Sequence, residues 1–225
     1  EHVRAVPRRE QAQRLRLWRN SLLDPEAVHR QPTVIPAKLL FSFPGLPLAY
    51  DILSWPFVTM AKREISAVLT DLPPGSQVLD VGTGTGAIAR HLAATLPVQI
   101  TGIDLSPEML GRARALDGRV TWLEGSAEDL PVTGPYDAVV ASYLLRHLDP
   151  ERAPQVFSEI ARVTRYGGRL VLVDLQLPRP GPTQILGVWS LYSPEELVEL
   201  AQASGLSYQR SRYFPLSILM VFERR

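Results

Sequence analysis

The chain contains no cysteine. Disulfides, thiolate metal sites and cysteine nucleophiles are therefore excluded. Lysine is nearly absent: of the 24 basic residues, 22 are Arg and 2 are Lys, and no face is visibly built from the arginine excess. Against 23 acidic residues the formal net charge is only +1, so no overall field favours nucleic acid. No run of 18 apolar residues occurs, and nothing reads as a membrane-spanning helix. The Arg-rich start lacks an apolar h-region and does not resemble a signal peptide, which makes the cytoplasm the expected compartment. His2 and His29 share no metal-ligand spacing with His147, and His91 reads as a structural mid-helix residue, so no metal is expected. Repeats and low-complexity tracts are also missing.

What is present suits one α/β domain with a full core plus an appendage: 225 residues, 45% of them hydrophobic. We place an N-terminal helical and Pro-rich extension at 1–56 and the main domain at 57–225. Within the extension, 7–23 reads as a helix, with Leu15, Trp18 and Leu22 at helical spacing among Arg8, Arg9, Arg14, Arg16 and Arg19. Such a helix packs on the main domain, rests on a membrane surface or covers a substrate. Asp24-Pro25 looks like a fresh helix start. Residues 31–56 are broken by Pro32, Pro36, Pro44, Pro47 and Pro56, yet too apolar for a solvated linker; they should pack on the core or on a greasy ligand. A helix is expected over 57–69.

From Ser76 strand and helix alternate. Strands are expected at 77–81, 98–104, 120–124, 136–142 and 169–174. Helices are expected at 87–95, from Ser106-Pro107 onward, over 150–163 with Gly167-Gly168 as its stop, and from Ser193-Pro194 to Gly205. Two last strands, 206–213 and 216–223, suit an antiparallel hairpin. The result is a Rossmann-like, seven-stranded, mostly parallel sheet with the last strand antiparallel, flanked by helices.

Ligands of open α/β sheets sit beyond the carboxyl ends of the strands. There stand Asp80 with the turn Gly82-Thr83-Gly84-Thr85-Gly86, then Asp104, Glu124 to Ala127, Ser142 to Leu144, and Asp174. Glycines at alternate positions allow positive φ and close approach of a ligand to the backbone. Asp104 can accept hydrogen bonds from both hydroxyls of a ribose. The G-x-G-x-G spacing differs from the dinucleotide G-x-G-x-x-G and fits a ligand without phosphate better than a pyrophosphate.

Five blocks in order carry a resemblance: Val78 to Gly86, Gly102 to Leu110, Glu124 to Pro131, Tyr136 to Val139, and Glu159 to Leu170. Together they resemble the class I S-adenosylmethionine-dependent methyltransferases, nearest the menaquinone and ubiquinone C-methyltransferase branch. The resemblance implies S-adenosylmethionine as cofactor. Gly82, Gly84 and Gly86 would lie under its methionine part, with Thr83 in the same turn, and Asp80 would help hold its amino group through the turn. Asp104 would bind the ribose, Leu105 would flank the adenine, and Ser126 and Ala127 would line the adenine edge. Met109 and Ser142 complete the implied cofactor set. Many members carry Asp where Ser126 stands. Tyr143 to Leu148 looks like that branch's strand-four loop, with His147 where it tends to have Asn, and Tyr50 to Ser54 resembles another of its motifs.

The sulfonium carries its own leaving group, so the protein mainly positions the reactants and excludes water. His147 is the candidate base if the acceptor must lose a proton. Arg146 pairs with an acidic or enolate oxygen of the acceptor or with Asp149; Tyr50 and Tyr143 line the transfer site, with an aromatic packing anchor as the alternative for Tyr50. The expected function is methyl transfer to a small, largely apolar acceptor, with no nucleic acid as partner. A cofactor-binding protein that does not methylate and a NAD-dependent dehydrogenase are the competing readings.

Overall fold

The computed structural model describes residues 46–148, 150–176 and 192–225, with only the helical backbone described over 46–55. The helices expected at 7–23 and from Asp24, the apolar stretch 31–45, Asp149 and the stretch 177–191 lie outside the described residues, as does the side chain of Tyr50.

Seven strands form one sheet in the order β3-β2-β1-β4-β5-β7-β6. They are β1 (Gln77–Val81), β2 (Gln99–Asp104), β3 (Thr121–Glu124), β4 (Tyr136–Ser142), β5 (Thr164–Leu175), β6 (Leu206–Phe214) and β7 (Ser217–Arg224). The first five pair parallel, and β7 runs antiparallel to both β5 and β6. The order reverses between β1 and β4, which opens a crevice at their carboxyl ends. Among the described residues the α-helices are α1 (Leu46–Leu69), α2 (Ala87–Thr95), α3 (Pro107–Leu116), α4 (Ala153–Val163) and α5 (Pro194–Ala203). No helix among the described residues is long and apolar enough to cross a membrane.

The strand alternation divides the core into two layers. Val78, Val140, Val171 and Val221 face Ile65, Leu69, Leu92 and Leu110 of the first three helices. Leu79, Val139, Leu170 and Phe222 face Phe157, Ile160 and Leu197 of the last two. Because both faces are covered, the central strands read as continuous apolar runs.

Two elements differ from the sequence reading. Helix α1 begins at Leu46 and carries Pro56 inside it, whereas the sequence pattern starts it at residue 57. Proline forfeits one backbone hydrogen bond; this helix also packs Ala61, Ile65 and Leu69 fully into the core, where burial outweighs that loss. The second difference is Gly167-Gly168, which lies within β5 rather than ending α4. The helix stops at Thr164, whose hydroxyl donates back to the Ile160 carbonyl at 2.6 Å. The pairing with β4 then jumps from Tyr136–Thr164 to Ala138–Arg169, and Gly167, at φ 71°, lies in the extra residues.

Helix α5 begins in a capping box. Ser193 Oγ accepts from the Glu196 amide at 3.2 Å, and the Glu196 carboxylate accepts from the Ser193 amide at 2.6 Å. Ser193→Ala should lower unfolding free energy by about 1 kcal/mol in a urea titration. A midpoint equal to that of the parent chain would show that the cap contributes nothing.

Candidate functional site

The turn after β1 is latched to the end of β2. The Gly82 and Thr83 amides donate to the Ile103 carbonyl at 2.8 and 2.9 Å, and the Gly84 amide donates to Asp104 Oδ2 at 2.7 Å. Asp104 Oδ1 accepts the Ser106 amide at 2.9 Å, and its backbone carbonyl accepts the Gly125 amide at 3.0 Å. One residue thus fixes the glycine turn, the start of α3 and the loop after β3. Burial raises the Asp104 pKa from its ordinary value, and the amides of Ser106, Gly84 and Leu105 partly offset that. A carboxylate offers about four acceptor positions, so capacity remains for hydroxyls.

All three turn glycines have positive φ: 70° at Gly82, 56° at Gly84 and 76° at Gly86. Their surroundings differ. A Cβ at Gly84 would have no atom within 4 Å, so this stretch of backbone faces open space. One at Gly82 would come within 2.7 Å of Leu144 Cδ1, which brings the β4 loop against the turn. At Gly86 it would meet Trp122 Cη2 at 2.3 Å, and at Gly102 it would meet Trp122 Cζ3 at 2.7 Å. The Trp122 indole therefore lies under both the turn and β2, anchored by a hydrogen bond from Nε1 to the Asp117 carbonyl at 3.0 Å. Sequence reasoning missed Trp122. Its signal, an aromatic residue in the strand beside a glycine in the next, has meaning only once the strand order is known.

Asp80 is fully buried behind the turn, and Thr83 Oγ1 donates to its Oδ2 at 2.6 Å. Its Oδ1 makes no hydrogen bond among the described residues. Burial pushes the carboxyl up to about 7; the Thr83 hydroxyl opposes the shift, and the charge of Asp104 adds to it. Leu105 is half exposed at the end of β2, and Met109 is buried in the first turn of α3. Ser126 Oγ accepts from the Glu128 amide at 3.2 Å, which leaves its hydroxyl proton available. Ala127 packs on the second core layer, and Ser142 is half-buried beside Val173. An open glycine turn, a carboxylate with acceptor capacity and an exposed apolar side chain suit a nucleoside bearing an amino-acid cation, which fits S-adenosylmethionine.

The strand-four residues form a second cluster. Tyr143 has φ 55° and is buried, not open to the crevice. Its hydroxyl bonds the Phe57 carbonyl at 3.3 Å and Ser217 Oγ at 3.2 Å, tying this loop to α1 and β7. The geometry makes it a packing anchor. The Arg146 guanidinium lies over the Tyr143 ring at 5.1 Å from the centroid, and its Nε donates to His147 Nε2 at 3.1 Å. The Nε2 lone pair of His147, the residue expected as base, is therefore engaged. Asp174, the penultimate residue of β5, lies beside this cluster, buried, with Oδ1 accepting the Leu175 amide at 2.8 Å. Burial raises its pKa to about 6, against the pull of the Leu175 amide and of Arg146.

The description "methyltransferase domain" belongs to the family model that matches residues 78–168. Among curated proteins, the chain is 37% identical over 158 residues to an O-methyltransferase of Aspergillus sclerotiorum, covering 64% of this chain and 59% of that one. It is 37% identical over 165 residues to an uncharacterized methyltransferase of Synechocystis, covering 68% and 77%. It is 31% identical over 166 residues to a ubiquinone/menaquinone biosynthesis C-methyltransferase of Syntrophotalea carbinolica, covering 70% and 65%. The chain thus spans less than two thirds of the first and third of these relatives. Among solved structures, magnesium protoporphyrin IX methyltransferase of Synechocystis with bound S-adenosylhomocysteine has the same fold, at TM-score 0.61 and 22% identity over 74% of this chain and 83% of that one.

The Asp80 shift has a stability consequence. With its pKa raised to about 7 from the ordinary 3.8, the folded state binds the extra proton. That stabilisation is complete below the ordinary value and lost as pH rises through about 7. Asp80→Asn, which cannot ionise, should therefore gain more in Tm over the parent at pH 8 than at pH 5. An equal change at both pH values would contradict the burial of an ionisable carboxyl here.

Proposed function

The chain belongs to the class I S-adenosylmethionine-dependent methyltransferases, and on that premise we propose that it methylates a small, largely apolar acceptor at carbon or oxygen. When bound, S-adenosylmethionine supplies an activated methyl group with its leaving group attached. The protein's part is to hold, orient and exclude water.

The carrying observation is the Asp104 latch, which holds the glycine turn at Gly84 and the loop after β3 at Gly125. In this reading Asp104 takes the ribose hydroxyls, Leu105 flanks the adenine, and the loop at Ser126 and Ala127 lines its edge. Gly82 to Gly86 lie under the amino-acid part. Asp80, fully buried, acts on the cofactor's cationic groups through its field across the turn rather than by contact. Arg146 and His147 stand on the acceptor side. The apolar composition of 31–56 is what supports a quinone-, polyketide- or lipid-like substrate, since a segment of that composition suits a greasy acceptor. The relatives named above support both acceptor atoms, since one is named for O-methylation and another for C-methylation.

Calorimetry with S-adenosylhomocysteine tests this reading. Binding is expected, and it should strengthen as pH rises from 6 to 8, because ionised Asp80, with its pKa near 7, favours the ligand's ammonium. Absence of binding would overturn the reading. Binding of S-adenosylmethionine with no methyl turnover across apolar phenol, enol and quinol acceptors would instead favour a cofactor-binding protein that does not methylate.

A further inference from the structure

Arg146 stands on a 3-10 turn, Leu145–His147, directly after β4. Three features fix its side chain. Below, the guanidinium rests on the buried Tyr143 ring at 5.1 Å. At the side, Nε is held by His147 Nε2 at 3.1 Å. The turn itself is tied down, since the Tyr143 amide donates to the Val173 carbonyl at 2.7 Å and the Tyr143 hydroxyl reaches Ser217. The two terminal nitrogens of Arg146 carry no hydrogen bond to any described residue. A guanidinium held at its ring face and at Nε, with neither terminal group hydrogen-bonded among the described residues, is a preorganised fork. It matches two coplanar oxygens sharing one negative charge, and lysine could not replace it.

We propose that Arg146 is the specificity residue for the acceptor, binding a planar anionic oxygen pair (a carboxylate or an enolised dicarbonyl) on an otherwise apolar molecule, and that His147 is a positioning residue that aims it. This rests on the methyl-transfer reading of the site. His147 accepts the Arg146 Nε–H on Nε2, so its imidazole carries its proton on Nδ1 and serves as an acceptor strut rather than as a base.

The test uses the whole chain saturated with S-adenosylhomocysteine, titrated calorimetrically with 2-naphthoate and with its neutral ester, methyl 2-naphthoate. The parent should bind the anion about tenfold or more tightly than the ester. Arg146→Gln should abolish that preference, and Arg146→Lys should retain only a fraction of it. His147→Leu should shrink the preference, and His147→Gln should restore it, because an amide oxygen can accept from Nε where leucine cannot. S-adenosylhomocysteine affinity, measured in every variant, should stay at the parent value and so report an intact fold. Cofactor binding without preference for the anion would overturn this proposal alone. So would a preference that survives Arg146→Gln, or equal losses in the two His147 variants. Failure of the parent to bind S-adenosylhomocysteine would instead overturn the methyl-transfer reading beneath it.

Discussion

The Asp104 carboxylate accepts the Gly84 amide at 2.7 Å and the Ser106 amide at 2.9 Å. The ends of the first three strands are tied together at this residue. It joins the turn after β1 to the end of β2, starts α3 beneath itself, and through its own carbonyl holds Gly125 and the loop after β3. A carboxylate can do this because it accepts several hydrogen bonds at once, and charge-assisted bonds to amides are strong. The cost is desolvation, visible in the raised pKa values of both Asp104 and Asp80. Two acids held close together and out of water make a place that favours a cation. A positively charged sulfonium amino acid is such a ligand.

The second organising element is packing. Trp122 spans from β3 beneath Gly102 to Gly86, so the height of the turn is set by an indole face rather than by hydrogen bonds alone. On the other side of the crevice Tyr143 plays the equivalent part: buried, bonded to α1 and β7, and supporting Arg146 on its ring. Aromatic rings suit these places because they bury much area with few rotatable bonds. Rigid support matters for a reaction in which the protein's contribution is chiefly orientation.

Much of the sheet was legible in the sequence because its signals are local. The ends of β1, α2 and β4 agree to the residue, since each is an apolar run bounded by a strong stop: Asp80 and the glycines, the Leu96-Pro97 pair, and Ser142. Ser106 and Ser193 announced their helices by cap chemistry. Non-local balances were hidden. Pro56 argues locally for a break, but core burial along α1 carries the helix through it. Gly167-Gly168 argues for a helix stop, yet the pair lies within a strand whose pairing is irregular there. At the site, the acids and glycines could be named from spacing alone. That Tyr143 points into the core, and that Arg146 and His147 hold each other, follows only from which strands are neighbours.

Cofactor held in the Asp104-latched crevice would be directed toward Arg146, and this is what gives the two clusters a common purpose. A crystal structure of the chain with S-adenosylhomocysteine tests it most directly. Ribose hydroxyls are expected on the Asp104 carboxylate, adenine between Leu105 and the Ser126–Ala127 loop, and the sulfur facing the Arg146 side of the crevice. A ligand bound away from Asp104, or a sulfur turned from Arg146, would contradict it.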